Sequence, residues 1–309
     1  MKSVRFLLVM IVTGTLFSSC SLSIEDDTQN NRYIKEIVSE YDLWYIDYHR
    51  TLGNGDIPFI SRAFTMSFVN GTLYANNNIV DIGITGNGFG INIGRYNAFN
   101  GLLEINHPID GTTNFEVSVL SNNEISLYNP IENVNYYLIG YQIPEFDYDQ
   151  LFYENIEYFL QEYIDWEKTG EADGIPNPFD NENYMAFTPE NITTFYSSQD
   201  NLNTQVQDVF WNFVGAYEIY DVRGYEDLKI LSLYYDGGDT EEFELSVVND
   251  REIHLYHLNS KTNYWFSGRG FMNYSKGGAS KKEAKNSGRN SGRKRTKVTR
   301  KTKNRSPLN

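Results

Sequence analysis

The chain contains its own sequence twice. The run Phe115-Glu116-Val117-Ser118-Val119, with Glu124-Ile125, Leu127-Tyr128, Asn135-Tyr136 and Gly140, returns without a gap 128 positions later. There it reads Phe243-Glu244-Leu245-Ser246-Val247, Glu252-Ile253, Leu255-Tyr256, Asn263-Tyr264 and Gly268. Eleven of 27 aligned residues are identical. Self-similarity at this spacing means one unit folded in tandem, and it constrains architecture before any local pattern does.

The repeated unit reads as β. Phe115, Val117 and Val119 alternate with Glu116 and Ser118, so one face of that segment is buried and the other is wet. Strand-like runs in the first copy are residues 43–48, 63–68, 72–75, 79–84, 89–93, 102–105, 115–120, 124–128 and 136–141. Between them stand Gly53-Asn54-Gly55, Asn70-Gly71, Asn76-Asn77-Asn78, Gly86-Asn87-Gly88, Asp110-Gly111 and Ser121-Asn122-Asn123, the residue types that tight hairpins need. Residues 32–41 have helical spacing, and residues 148–167 read as a helix entering a strand. Asp236-Gly237-Gly238-Asp239 is a hairpin turn, and residues 171–183 form a loop. The 24 tyrosines suit half-buried strands.

The second copy matches less regularly outside the strong block. Tyr45-Ile46-Asp47-Tyr48 aligns with Tyr163-Ile164-Asp165-Trp166, an offset of 118. Thr72-Leu73-Tyr74-Ala75 aligns with Thr194-Phe195-Tyr196-Ser197 at 122, and Gly94 and Tyr96 with Gly215 and Tyr217 at 121. The fold expected is mainly β: two tandem antiparallel barrels or sandwiches with one or two short helices.

The N-terminus has an export pattern. Lys2 and Arg5 precede an apolar run from Phe6 to Phe17, too short to span a bilayer stably. Ser18-Ser19 lead into Cys20, the only cysteine. A lone cysteine forms no internal disulfide. Its place resembles the lipobox of bacterial lipoproteins, which implies a signal peptide over residues 1–19, acylation of Cys20 and anchoring to a lipid bilayer. Residues 20–32 follow as an acidic tether. The two repeats span residues 33–143 and 144–272, and residues 273–309 form a basic tail.

Charge divides sharply along the chain. From Lys276 onward there are 13 basic residues and one acid, a net of +12. The whole chain carries −15, so the first 275 residues carry −27. The tail has almost no apolar side chains and reads as disordered. Its candidate partners are the anionic envelope surface, nucleic acid and the protein's own acidic body. It lacks interleaved aromatics, so sequence-specific nucleic-acid binding is not expected.

Taken together, Tyr41-Asp42-Leu43-Trp44-Tyr45, Arg62-Ala63-Phe64-Thr65, residues 68–78, residues 158–163 and Gly268-Arg269-Gly270-Phe271 resemble a family of small lipoproteins from flavobacteria and other Bacteroidota. The resemblance covers residues 33–271. It implies tandem lipocalin-like β-domains and an outer-membrane location. Members often carry the label nicotinic acid mononucleotide adenylyltransferase, which would imply nucleotidyl transfer.

The motifs do not supply that chemistry. Nucleotidyl transfer of this kind needs a doubly wound sheet and a phosphate-binding helix start. His254 and His257 have His-x-x-His spacing, but they lie in an alternating strand that puts them on opposite faces. The glycines from Gly83 to Gly94 are followed by Ile91 and Ile93 in strand-like positions, so the dinucleotide spacing fails. Asp173, Asp180, Asp236 and Asp239 lack the alternating-oxygen spacing of a calcium loop. No nucleophile–base arrangement, catalytic residue, metal ligand or cofactor is expected. The aromatics Trp44, Tyr74, Tyr96, Trp211, Tyr217 and Trp265 are either core or the lining of a barrel mouth that takes a small apolar or glycan ligand. The function expected is a non-enzymatic, membrane-anchored envelope lipoprotein that binds a ligand or partner. The alternatives are a nucleotidyltransferase and a purely structural envelope protein.

Overall fold

Both repeats close into eight-stranded antiparallel barrels, and the alternation of buried and half-buried side chains is plainest over residues 134–141 and 252–257. The structure is a computed structural model that describes residues 24–189, 191–271 and 294–305, with residues 24–30 described by backbone alone. The signal peptide, Cys20 and residues 273–293 and 306–309 of the tail lie outside the described residues.

Helix α1 (Ile24–Val38) leads into the first barrel. It starts inside the stretch read as an acidic tether. The strands are β1 (Leu43–Gly53), β2 (Thr65–Val69), β3 (Thr72–Asn76), β4 (Ile91–Phe99), β5 (Leu102–His107), β6 (Gly111–Ser121), β7 (Glu124–Asn129) and β8 (Val134–Tyr141), with a short helix α2 (Pro58–Ser61) after β1. Neighbours pair antiparallel in sequence order, and β1 closes on β8 with Trp44 opposite Gly140. This is an up-and-down barrel. The run 79–84, expected as a ninth strand, is a turn instead. Ile79, Val80 and Ile82 leave the wall to pack in the core shared with the second barrel, where burial outweighs β-propensity.

A 3₁₀ turn (Ile143–Glu145) and two short helices, α3 (Tyr148–Glu154) and α4 (Ile156–Leu160), carry the chain across. Asp147 caps α3, its carboxylate accepting from Gln150 N at 2.9 Å. The second barrel is β9 (Tyr163–Ala172), β10 (Tyr184–Phe187), β11 (Thr194–Ser198), β12 (Phe213–Val222), β13 (Tyr225–Tyr235), β14 (Thr240–Asn249), β15 (Glu252–His257) and β16 (Asn263–Phe271). β9 pairs with β16 and β11 with β12, so this sheet also closes.

The copies superimpose in detail. The indole N–H of Trp44 donates to Val38 O, and that of Trp166 to Leu160 O, both at 2.8 Å and both six residues back. Each tryptophan thus caps the helix before its barrel. Tyr41 Oη donates to Asn122 O at 3.0 Å and Tyr163 Oη to Asp250 O at 2.8 Å, latching the equivalent hairpin. A Cβ on Gly140 would lie 2.5 Å from the Tyr41 ring, and one on Gly268 2.3 Å from the Tyr163 ring. These pairs align Tyr41 with Tyr163 and Trp44 with Trp166. The offset here is therefore 122, not the 118 expected from the Tyr-Ile-Asp string.

Both interiors are filled by side chains. Phe68, Phe115, Tyr136 and Leu138 sit in the first, and Phe179, Phe243, Tyr264 and Phe266 in the second. Eight strands leave a bore that side chains fill. The barrels are joined by Glu162, wholly buried at the start of the second, whose carboxylate accepts from Ile79 N (2.7 Å) and Val80 N (2.9 Å) of the first.

Residues 294–305, expected to be disordered, lie against this body. They include a short strand β17 (Thr302–Lys303) parallel to β12. The segment lacks apolar residues for a core of its own, but the body supplies opposite charge and an open sheet edge.

Candidate functional site

The six aromatics singled out in the sequence do not converge. Trp44 and Tyr217 are core residues, 1% and 2% exposed; Tyr217 Oη accepts from Gln161 Nε2 at 3.0 Å. The others are half-buried: Tyr74 beside Phe89, Tyr96 edge-on to Phe68, Trp211 beside Tyr196, Trp265 beside His254. They are spread over both barrels.

The histidine pair divides as alternation requires. His254 is partly buried, against Trp265 and bonded to Asn263 Oδ1 at 2.9 Å. His257 points inward at 2% exposure. Its Nδ1 is 2.6 Å from Ser260 Oγ and its Nε2 2.7 Å from Glu241 Oε2. This is a serine–histidine–carboxylate chain that sequence reasoning missed, because Glu241 comes from the neighbouring strand. Its chemistry is that of a turn lock. Ser260 is 3% exposed and also bonded to Thr262 Oγ1. In the first barrel Asn129 occupies the place of His257, and its Oδ1 accepts from Glu132 N, again three residues on. An acyl-transfer nucleophile must reach solvent and substrate; this hydroxyl reaches neither. Of the four loop aspartates, Asp180 completes the capping box that Asn177 opens on the 3₁₀ turn Pro178–Asn181, and it accepts from Tyr264 Oη at 2.5 Å. Among the described residues no group of three or more His, Cys, Asp or Glu side chains is arranged to hold a metal.

A cleft opens between the barrels instead. Its volume is about 960 Å³. Tyr45, Asp47 and His49 of β1 form one wall, and Asp221 and Val222 of β12 with residues Tyr225, Glu226, Asp227 and Lys229 of β13 form the other. The floor is α3 with Asp147, Asp149 and Glu154. Residues 297–300 close one side. Seven carboxylates face three lysine or arginine side chains in this lining, so the cleft carries net negative charge. No single stretch of sequence signals it, since it exists only where the two barrels meet. Among the described residues no helix is long and apolar enough to cross a membrane.

The basic segment crosses this surface in extended form. Arg295 N donates to Ser61 O at 2.7 Å. Its guanidinium lies 4.4 Å from the Tyr48 ring centre and 4.2 Å from that of Phe64, a double cation–π contact. Val298 O is 2.9 Å from His49 Nδ1, and Glu154 O is 3.2 Å from His49 Nε2. A neutral imidazole donates to one of these carbonyls and a charged one to both. Arg300 makes two 2.7 Å bonds to Glu157 of α4, one to each carboxylate oxygen. Burial works most strongly against the charge on Arg300, but the bonds and charge of Glu157 together with Asp221 outweigh it and hold the pKa above the usual arginine range.

Beyond Arg300 the side chains alternate. Lys301 bonds Glu218 at 2.8 Å, Lys303 bonds Glu242, and Arg305 makes paired bonds of 2.8 and 2.9 Å to Glu244. Hydrogen bonds from Lys301 and Tyr220 hold the Glu218 carboxyl below the usual carboxylate range, and the bond from Lys303 does the same for Glu242. Lys303 lies 3.9 Å from the Tyr220 ring centre and Arg305 5.3 Å from that of Tyr225. The backbone joins in: Asp221 N donates to Lys301 O and Arg223 N to Lys303 O, both at 3.0 Å.

The sequence matches no protein-family model, and the search of curated proteins gave no match.

Proposed function

We propose that this chain is a non-enzymatic, membrane-anchored envelope lipoprotein whose two barrels are a rigid scaffold for a binding surface between them. The anchor is Cys20, acylated after export, and the location is the bacterial outer membrane, as the resemblance to Bacteroidota lipoproteins implies. The ligand or partner is cationic. One observation carries this reading: both barrel interiors are packed with side chains, whereas the surface between them is open, acidic and already holds a basic segment. A concave, pre-formed site with convergent polar groups is where ligands bind in general. Nucleotidyl transfer gains no support, because His254 and His257 do not act together and a surface rich in carboxylates repels phosphates. The filled interiors favour a purely structural role as the second reading.

Two experiments test the proposal. Labelling with a fatty-acid analogue tags the wild-type protein and fails with Cys20→Ser, which is released from membranes. A fluorescent tetralysine probe binds the full chain at low ionic strength, more weakly as salt rises. Combining Asp147→Asn, Asp149→Asn and Asp227→Asn weakens it further. Absence of probe binding, or turnover of ATP with nicotinic acid mononucleotide, contradicts the reading.

A further inference from the structure

We infer that the track occupied by residues 294–305 is a receptor site for an extended cationic peptide, and that the chain's own C-terminal segment is its built-in occupant. This rests on the binding role proposed for the inter-barrel surface and names the class of ligand.

The backbone contribution is strand addition. β11 pairs with residues Phe213 to Ala216 of β12, and β12 runs on past it to Val222. The exposed edge keeps Asp221 N and Arg223 N aimed outward, and Lys301 O and Lys303 O take them. Such an edge accepts any extended chain, whatever its sequence. In the first barrel α1 packs against β4 and β5, and Gly101 N in the turn between those strands donates to Asn31 Oδ1 at 2.7 Å. In the second barrel residues 301–303 of the C-terminal segment lie along β12 instead.

Side-chain recognition comes from the period of a strand. Residues two apart point the same way, so Lys301, Lys303 and Arg305 share a face. Glu218, Glu242 and Glu244 meet them in that order on the outer surface of β12 and β14. Arg300 points the other way, to Glu157 on α4. Among the described residues, every ion pair made by these four carboxylates is with this segment. Glu157 and Glu244 are 3% and 4% exposed beneath it. The Tyr48–Phe64 slot on the first barrel takes Arg295, so an occupant spans both barrels and is read as Arg-x4-Arg-Lys-x-Lys-x-Arg. Paired arginine–carboxylate forks and aromatic slots select this pattern over bulk positive charge.

The test uses the full chain with Arg300→Ala, Lys301→Ala, Lys303→Ala and Arg305→Ala combined, which removes the side chains that hold the segment to the track from Arg300 onward. The probe is a fluorescent peptide of residues 294–305. The peptide binds this variant, and binds wild type about a hundredfold more weakly, because the tethered segment competes at an effective concentration near the millimolar range. Adding Glu157→Gln to the variant weakens binding about tenfold or more, and a scrambled peptide of the same composition binds at least about tenfold less well. Equal binding to variant and wild type, or equal binding of the scrambled peptide, overturns the inference. It does so even where the tetralysine probe still binds the cleft, so the two readings fail separately. Should the variant not fold, wild-type protein is cut at a protease site placed between residues 272 and 293. Uptake of labelled peptide in exchange for the cut segment supports the receptor; a segment that never exchanges makes it a fixed part of the fold.

Discussion

Arg300 and Glu157 form a two-pronged ion pair, 2.7 Å on each side, with side chains only 7% and 4% exposed. They are 143 residues apart, one on the C-terminal segment and the other on the helix that joins the barrels. Removing one member of such a pair strands the other. Arg300→Ala is expected to cost about 3–5 kcal/mol in unfolding by urea. Arg305→Ala removes a similar fork from a more exposed arginine and is expected to cost about 1 kcal/mol. Equal losses would mean that burial does not set the strength of these pairs.

Acidification should release the segment before it unfolds the barrels. Glu218 and Glu242 have carboxyl groups depressed by Lys301 and Lys303. A carboxylate with a depressed pKa in the docked state favours docking above its free pKa, and that contribution fades as pH falls through the depressed value. Fluorescence anisotropy of a dye carried at position 304 should therefore be high near neutrality and fall once the pH drops below the usual carboxylate range. Far-ultraviolet circular dichroism should stay unchanged there. Loss of β-signal at the same pH would contradict this order.

The paired tryptophans should behave as equivalents. Trp44→Phe and Trp166→Phe each leave a buried carbonyl, Val38 O or Leu160 O, without its donor. Each is expected to cost about 1–3 kcal/mol. The measurement is the denaturation midpoint of each variant. A large effect at one and none at the other would show that the barrels do not use the cap alike.

Gly140 and Gly268 are required for contact rather than for flexibility. An added methyl meets the Tyr41 ring in one barrel and the Tyr163 ring in the other. Gly140→Ala and Gly268→Ala are each expected to destabilise by about 1–3 kcal/mol. The partner changes Tyr41→Ala and Tyr163→Ala should reduce that clash penalty in double-mutant cycles.

Much of this fold was legible because strands alternate and the strong repeat block carries one offset throughout. The hairpin residues fell where the turns are. The first strand was misaligned because Tyr-Ile-Asp matched as letters; the Trp–Gly contact across the barrel seam sets the true register. Residues 79–84 looked like a strand because Ile79, Val80 and Ile82 are β-formers, yet they pack toward the other barrel. The site was hardly legible at all. Glu157, Glu218, Glu242 and Glu244 lie scattered over 88 residues of sequence, and only the fold lines them up. The tail's composition excluded a core of its own, but it does not encode where its charges find partners.

The central claim is that the surface joining the two barrels seats an extended basic strand. Amide hydrogen exchange at Asp221 and Arg223 reads this directly. Both amides should be protected in the full chain and become fast in the variant that replaces Arg300, Lys301, Lys303 and Arg305 by alanine, while Leu231 in the barrel wall stays slow. Fast exchange at Asp221 and Arg223 in the unaltered chain would contradict it.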